Sequence, residues 1–93
     1  MCTNVAIRTA VEGSAKGPRG WFKIDTAHVS FDHPFHASFE HTLNIDLVNE
    51  LADDATRVAV ELSAAAARAL AENIMLALAQ GEAEVGSATS SLR

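Results

Sequence analysis

Three of the four histidines, His33, His36 and His41, fall within one eleven-residue stretch, FDHPFHASFEH, and the fourth, His28, lies just upstream. The chemistry that such a concentration offers is metal ligation. Neutral imidazoles bind a transition metal when their nitrogens converge to about 2.0–2.2 Å from one point. His33 and His36 have a chelating separation, and His41 follows five residues later. Three imidazoles with an open fourth position suit Zn²⁺, Cu or Fe, which then polarises water, substrate or oxygen as a Lewis acid. His28 is a more distant candidate, since an extended chain at about 3.3 Å per residue puts it roughly 16 Å from His33. Asp32, Glu40 and Asp46 could ligate or orient a ring. The competing reading is ordinary: loop histidines often face water or cap carbonyls, and no helical H-E-x-x-H spacing is matched. His41 shares parity with Leu43 and Ile45, so its ring belongs at the edge of a core and needs a partner there.

Two further groups bear on this chemistry. Cys2 follows the initiator methionine. Removal of Met1 would leave an amine and a thiol on one residue, able to bind a soft metal or to attack an electrophile. The alternative is a plain reduced thiol on a fraying end. Asn4, Thr42, Asn44 and Asp46, together with His28, can also line one face of a sheet and receive a small polar ligand. A solvated sheet face or the polar part of a dimer interface would use the same residues.

Composition removes several classes. The formal charge is −5, with seven Lys and Arg against twelve Asp and Glu. Clustered positive charge is what phosphates and anionic lipids select, so neither nucleic acid nor a membrane surface is an expected partner. The single cysteine rules out an intramolecular disulfide and a cysteine-based zinc finger. No apolar run approaches the roughly 18–20 residues that span a bilayer, and a cytoplasmic location is expected. "GSAKGPRG" lacks the G-K-[ST] ending of a phosphate loop. No Ser-His-Asp or Cys-His constellation follows from spacing.

These residues are positioned by four segments of period two and one of period 3.6. Residues 3–11 alternate, with Val5, Ile7, Thr9 and Val11 on one side. "EGSAKGPRG" carries three glycines and a proline, which predicts a loop. Residues 21–31 form a second strand with apolar residues on both faces, the pattern of a sheet covered on both sides, so a second subunit is expected to supply one cover. Pro34 starts the histidine loop. Residues 41–48 and 56–62 alternate again, with Leu43, Ile45, Leu47 and then Val58, Val60, Leu62 inward. Ser63 is an N-cap. A helix follows to Gln80, with Ala67, Leu70, Ala71, Ile74, Ala77 and Leu78 on one stripe. Leu76 falls outside that stripe, and Arg68 and Glu72 form a weak surface pair. Gly81 is expected to stop the helix, leaving 82–93 as a flexible tail.

The segments "MCT", "GWFKIDTAHVSFDHP", "EHTLNIDL" and "RVAVELSAAAARALAE" resemble those of a family of small, uncharacterised actinobacterial proteins. The resemblance covers most of residues 1–80 and is most specific from Gly20 to Asp46. It implies a free-standing small domain and assigns no functional residue.

The expected fold is therefore α+β: one domain over 1–81, a four-stranded antiparallel meander with a C-terminal helix on one face. The expected function is a small metal-binding protein, extending to a metalloenzyme, with His33, His36 and His41 as ligands and Cys2 and His28 as outer candidates. The alternative is a non-catalytic homodimer that binds a small molecule or a partner protein across its sheet, with Asn4, Asn44 and Asp46 as contacts.

Overall fold

In a computed structural model the described residues are 5–34, 36, 40–52 and 56–92, with side chains as far as Gly86. Four strands, β1 (Val5–Gly17), β2 (Gly20–Asp32), β3 (Thr42–Val48) and β4 (Arg57–Leu62), precede one helix, α1 (Ala64–Leu92). Each strand pairs antiparallel with the next, in the order β1-β2-β3-β4. This is the meander that short connections between alternating segments predict.

The period-two pattern sorts the two faces. Cross-strand rows read Ile7–Val29–Ile45–Val60, Val5–Phe31–Leu43–Leu62 and Thr9–Ala27–Leu47–Val58 on one face. The intervening rows read Arg8–His28–Asp46–Ala59 and Ala6–Ser30–Asn44–Glu61 on the other. Since successive side chains point to opposite sides, one face is almost wholly apolar and the other polar.

The glycine-rich segment after Val11 is not a loop. β1 continues to Gly17, and the turn is confined to Pro18 and Arg19. Val11 and Glu12 occupy a bulge, where the pairing steps from Ala10–Thr26 to Gly13–Ile24. A bulge bends and twists its strand. The hairpin arm accordingly curls over the polar face until β1 touches β4. Gly17 eases that approach, because a Cβ there would stand 3.3 Å from Thr56 Cγ2 and 3.4 Å from Phe22 Cε1, close enough to make a neighbour shift. Gly20 turns the hairpin with φ +111°, a conformation that favours glycine. Ala15, Ile24, Thr26 and Thr42 are buried on this concave side, and Ala27 on the other.

α1 begins as its cap predicts. Ser63 Oγ accepts the Ala66 N–H at 3.1 Å, and the Ser63 carbonyl accepts the Ala67 N–H at 2.9 Å. The helix does not stop at Gly81 but runs through it and Gly86. A glycine costs a helix about 1 kcal/mol, and the good formers Glu82, Ala83 and Glu84 that follow let propagation continue. At 1.5 Å per residue the 29 residues span about 43 Å, against about 23 Å for the seven residues of β3. The helix thus overhangs its sheet. It packs chiefly on β3 and β4. An apolar wedge of about 520 Å³ opens between Phe31, Leu43 and Leu62 on the sheet and Ala67, Leu70 and Ile74 on the helix. No helix among the described residues is long and apolar enough to cross a membrane.

Candidate functional site

The four imidazoles are placed by different elements and do different things. His41 lies between Phe31 and His33. Its ring stacks on Phe31 at 5.7 Å and on His33 at 4.8 Å, with interplanar angles of 14° and 29°. The hydrogen bond between His33 Nδ1 and the Glu40 carbonyl, 3.1 Å long, requires that Nδ1 carry the proton. The His36 main-chain N–H donates to Glu61 Oε1 at 3.1 Å and anchors the loop to β4. His28 stands in mid-strand on the polar face, and its Nε2–H donates to Glu50 Oε2 at 2.9 Å.

This geometry overturns the expected metal site at His33, His36, His41 and His28. A nitrogen lone pair lies in the plane of its ring. Two rings stacked nearly parallel aim their lone pairs side by side and not at one centre. Among the described residues no group of three or more His, Cys, Asp and Glu is placed to hold a metal ion. Cys2 and Asn4 lie outside the described residues. What period and spacing could not show is that the His33 and His41 rings stack on one another, as aromatic rings do at such separations.

The polar face holds two other arrangements. Glu50, in the β3–β4 turn, accepts from Arg8 Nε at 3.2 Å, from Arg8 Nη2 and from His28. The Arg8 guanidinium, then the His28 ring, hold the Glu50 carboxyl below its usual range, and Glu50 raises Arg8 in turn. Asp25 sits behind the turn. It accepts the Glu50 N–H at 2.9 Å, the Leu51 N–H at 3.3 Å and the Thr26 hydroxyl at 2.8 Å. The Glu50 amide, then the Thr26 hydroxyl, lower its carboxyl. Asn49 Oδ1 takes the Leu51 and Ala52 amides at 3.0 and 3.1 Å. Turn, β1 and β2 are thereby tied together by exposed charges.

The second arrangement is a cleft of about 220 Å³ bordered by Ser30, Asp32, Asn44, Asp46, Arg57 and Glu61. Asn44 Oδ1 accepts from the buried Thr42 hydroxyl at 2.6 Å, and its amide reaches Ser30 Oγ at 3.5 Å. Arg57 lies 4.0 Å from Asp46. The side chain of Asn44 thus takes part in bonds that organise the sheet itself.

The more unusual surface is the opposite one. Ile7 is 56% exposed, Ile74 50% and Trp21 71%, and Leu70, Met75, Leu76, Leu78 and Val85 are also exposed. Sequence reading placed Ile7 on one side of the first strand and Leu70, Ile74 and Leu78 on one helix stripe, and all four are exposed. It expected one helix to cover the sheet, but a helix about 10 Å across covers about two strands spaced 4.8 Å apart. Arg8, Asp25, Glu50 and Trp21 were not singled out as site residues. A lone Arg, two ordinary carboxylates and one Trp carry no spacing signal, although Trp21 opening an otherwise covered strand was a cue.

A family model described as a family of unknown function, DUF6295, matches residues 1–88. The chain belongs to the DUF6295 family. This agrees with its resemblance to a family of small uncharacterised proteins, and membership assigns no activity to any residue of the DUF6295 chain. No curated protein and no solved structure matches it.

Proposed function

We propose that this DUF6295 chain is an association domain that works as a homodimer, joined through α1 and the apolar sheet face. The observation that carries this reading is the surface left in water. A compact monomer of 9.8 kDa exposes about 5,200 Å², whereas this chain exposes 7250 Å². The excess, about 2,100 Å², exceeds the roughly 800 Å² that each partner contributes to a stable interface. The radius of gyration, 16.3 Å, likewise exceeds the roughly 12 Å of a compact chain of this length. Part of the exposed surface is apolar, at Val5 and Ile7 on β1 and at Leu70, Ile74, Leu78 and Val85 along α1, and burying it is favourable at about 25 cal/mol per Å² before the costs of association.

The polar cleft supports a ligand reading less well, since about 220 Å³ falls below the roughly 300 Å³ at which small-molecule pockets begin. A cytoplasmic setting belongs to the same proposal. One cysteine in 93 residues provides no pair for an intramolecular disulfide, as in chains that work under reducing conditions.

Sedimentation velocity tests the reading. The expected species is twice 9.8 kDa down to micromolar chain concentration. A species of one chain mass at every concentration up to the millimolar range overturns it.

A further inference from the structure

Resting on the homodimer reading, we infer where the two copies meet: Trp21 of each copy seats on the far half of the other copy's α1, in the shallow groove formed by Ala77, Leu78, Gly81, Val85 and Gly86. Four features of the chain converge on this contact.

The groove is shallow and open, an apolar strip of about 440 Å³ on the far half of the helix, lined among the described residues by α1 alone. Gly81 and Gly86 make its floor low, and a Cβ at either position would meet nothing within 4 Å in the same chain. The knob is equally plain. Trp21, the one tryptophan of the sequence, is 71% exposed on the outer side of the curled hairpin arm. A Trp buries 150–250 Å² when seated, and Trp is among the commonest anchors of interfaces.

Charge agrees with shape. Lys16 pairs directly across from Trp21, and Lys23 lies two residues on along the same face of β2, so the indole is flanked by two exposed cations. The groove is rimmed by Glu82, and no Lys or Arg follows Arg68 as far as Leu92, while Glu72, Glu82 and Glu84 do. A cationic knob therefore meets an anionic helix, an arrangement that fixes the register of association. Symmetry completes the case. Each copy carries one knob and one groove, so a two-fold axis makes the contact twice and closes it.

The lone tryptophan is its own reporter. Fluorescence emission measured across a dilution series, beside sedimentation of the same samples, is expected to move to shorter wavelength as dimer replaces monomer. Trp21→Ala removes the anchor from both copies and is expected to weaken dimerisation about a thousand-fold, the product of about thirty-fold for each of two 2 kcal/mol anchors. Since Trp21 is exposed within its own chain, far-UV circular dichroism should stay unchanged. Gly81→Leu fills the groove and raises helix propensity. It is expected to break the dimer while keeping or increasing helicity. Glu82→Lys should weaken association several-fold, and Lys23→Glu in the same chain should restore it. A dimer whose emission stays that of a water-exposed indole, and whose affinity ignores Trp21→Ala and Gly81→Leu, overturns this contact and leaves the homodimer standing. A strict monomer overturns both.

Discussion

The two sides of the sheet are built from the same strands and end in opposite conditions. On the concave side the hairpin arm bends back at the Val11–Glu12 bulge and encloses Ala15, Ile24, Thr26 and Thr42. On the helix side a richer set of apolar residues, from Val5 and Ile7 to Leu70 and Ile74, stays half in water. Hydrophobicity therefore does not decide what is buried in this chain. Closure does. A curled strand pair covers its own inner face from within one chain, whereas a four-strand face about 19 Å wide requires two helices, and the described residues hold one. The apolar rows Ile7–Val29–Ile45–Val60 and Val5–Phe31–Leu43–Leu62 thus stay partly open to water, most of all at Ile7 and Val5.

Two isoleucines, one on each side of the sheet, separate closed from open packing. Ile24→Ala removes a side chain that is 7% exposed and leaves a cavity, and is expected to destabilise the fold by about 2–5 kcal/mol. Ile7→Ala removes the same atoms from a site 56% exposed within one copy. In dilute, monomeric protein it is expected to change stability by less than about 1 kcal/mol. Urea unfolding of both variants at low chain concentration checks the pair. Equal losses at the two positions would show that the helix side is as closed as the concave side. At high chain concentration the Ile7→Ala loss should grow, because binding of a partner adds to stability by mass action.

The meander and its facing pattern were legible because alternation is a local property: Leu43, Ile45 and Leu47 declare a face without reference to the rest of the chain. The Ser63 cap was legible for the same reason. What was not legible depends on distant partners. Gly13 and Gly17 read as loop residues because glycine punctuates loops, yet here they permit a bend and a close approach to Thr56. Gly81 read as a stop, yet the good helix formers Glu82, Ala83 and Glu84 just after it carry the helix on. The histidines read as ligands because proximity in sequence says nothing about ring planes, and in the fold His33 and His41 lie face to face. The Glu50 turn network was invisible since Arg8 and Glu50 are 42 residues apart.

A smaller effect separates the helix's anchored start from its overhang. Ser63→Ala removes the acceptor of the Ala66 N–H and is expected to lower stability by about 1 kcal/mol. A capping defect propagates only through the first turn, so helicity of the far half should persist, and amide exchange should quicken at Ala64–Ala67 alone. Quickened exchange along the entire helix would mean that its start and its overhang form one cooperative unit and that the distinction drawn between them is wrong.

The smallest expected effect lies at the edge of the concave side, where Asp25 and Glu50 tie the β3–β4 turn to β1 and β2. Both carboxyls are held below their ordinary values, Asp25 first by the Glu50 amide and Glu50 first by Arg8. A carboxyl depressed in the folded state binds protons more weakly there than in the unfolded chain. Its contribution is therefore fully present above the unfolded values, about 3.9 for Asp and 4.3 for Glu, and is lost as pH falls through the lower folded values. The urea midpoint of an Asp25→Asn, Glu50→Gln chain should thus lie below that of the native chain at pH 7, and the two should converge on acidification below about pH 4. Because these groups are exposed, 0.5 M salt should narrow the gap at pH 7 by screening the Arg8–Glu50 pair, while the Asp25 bonds to the turn amides persist. A gap that stays constant from pH 7 to pH 3 would show that the ionised carboxylates do not hold the turn, and that the concave side closes by packing alone.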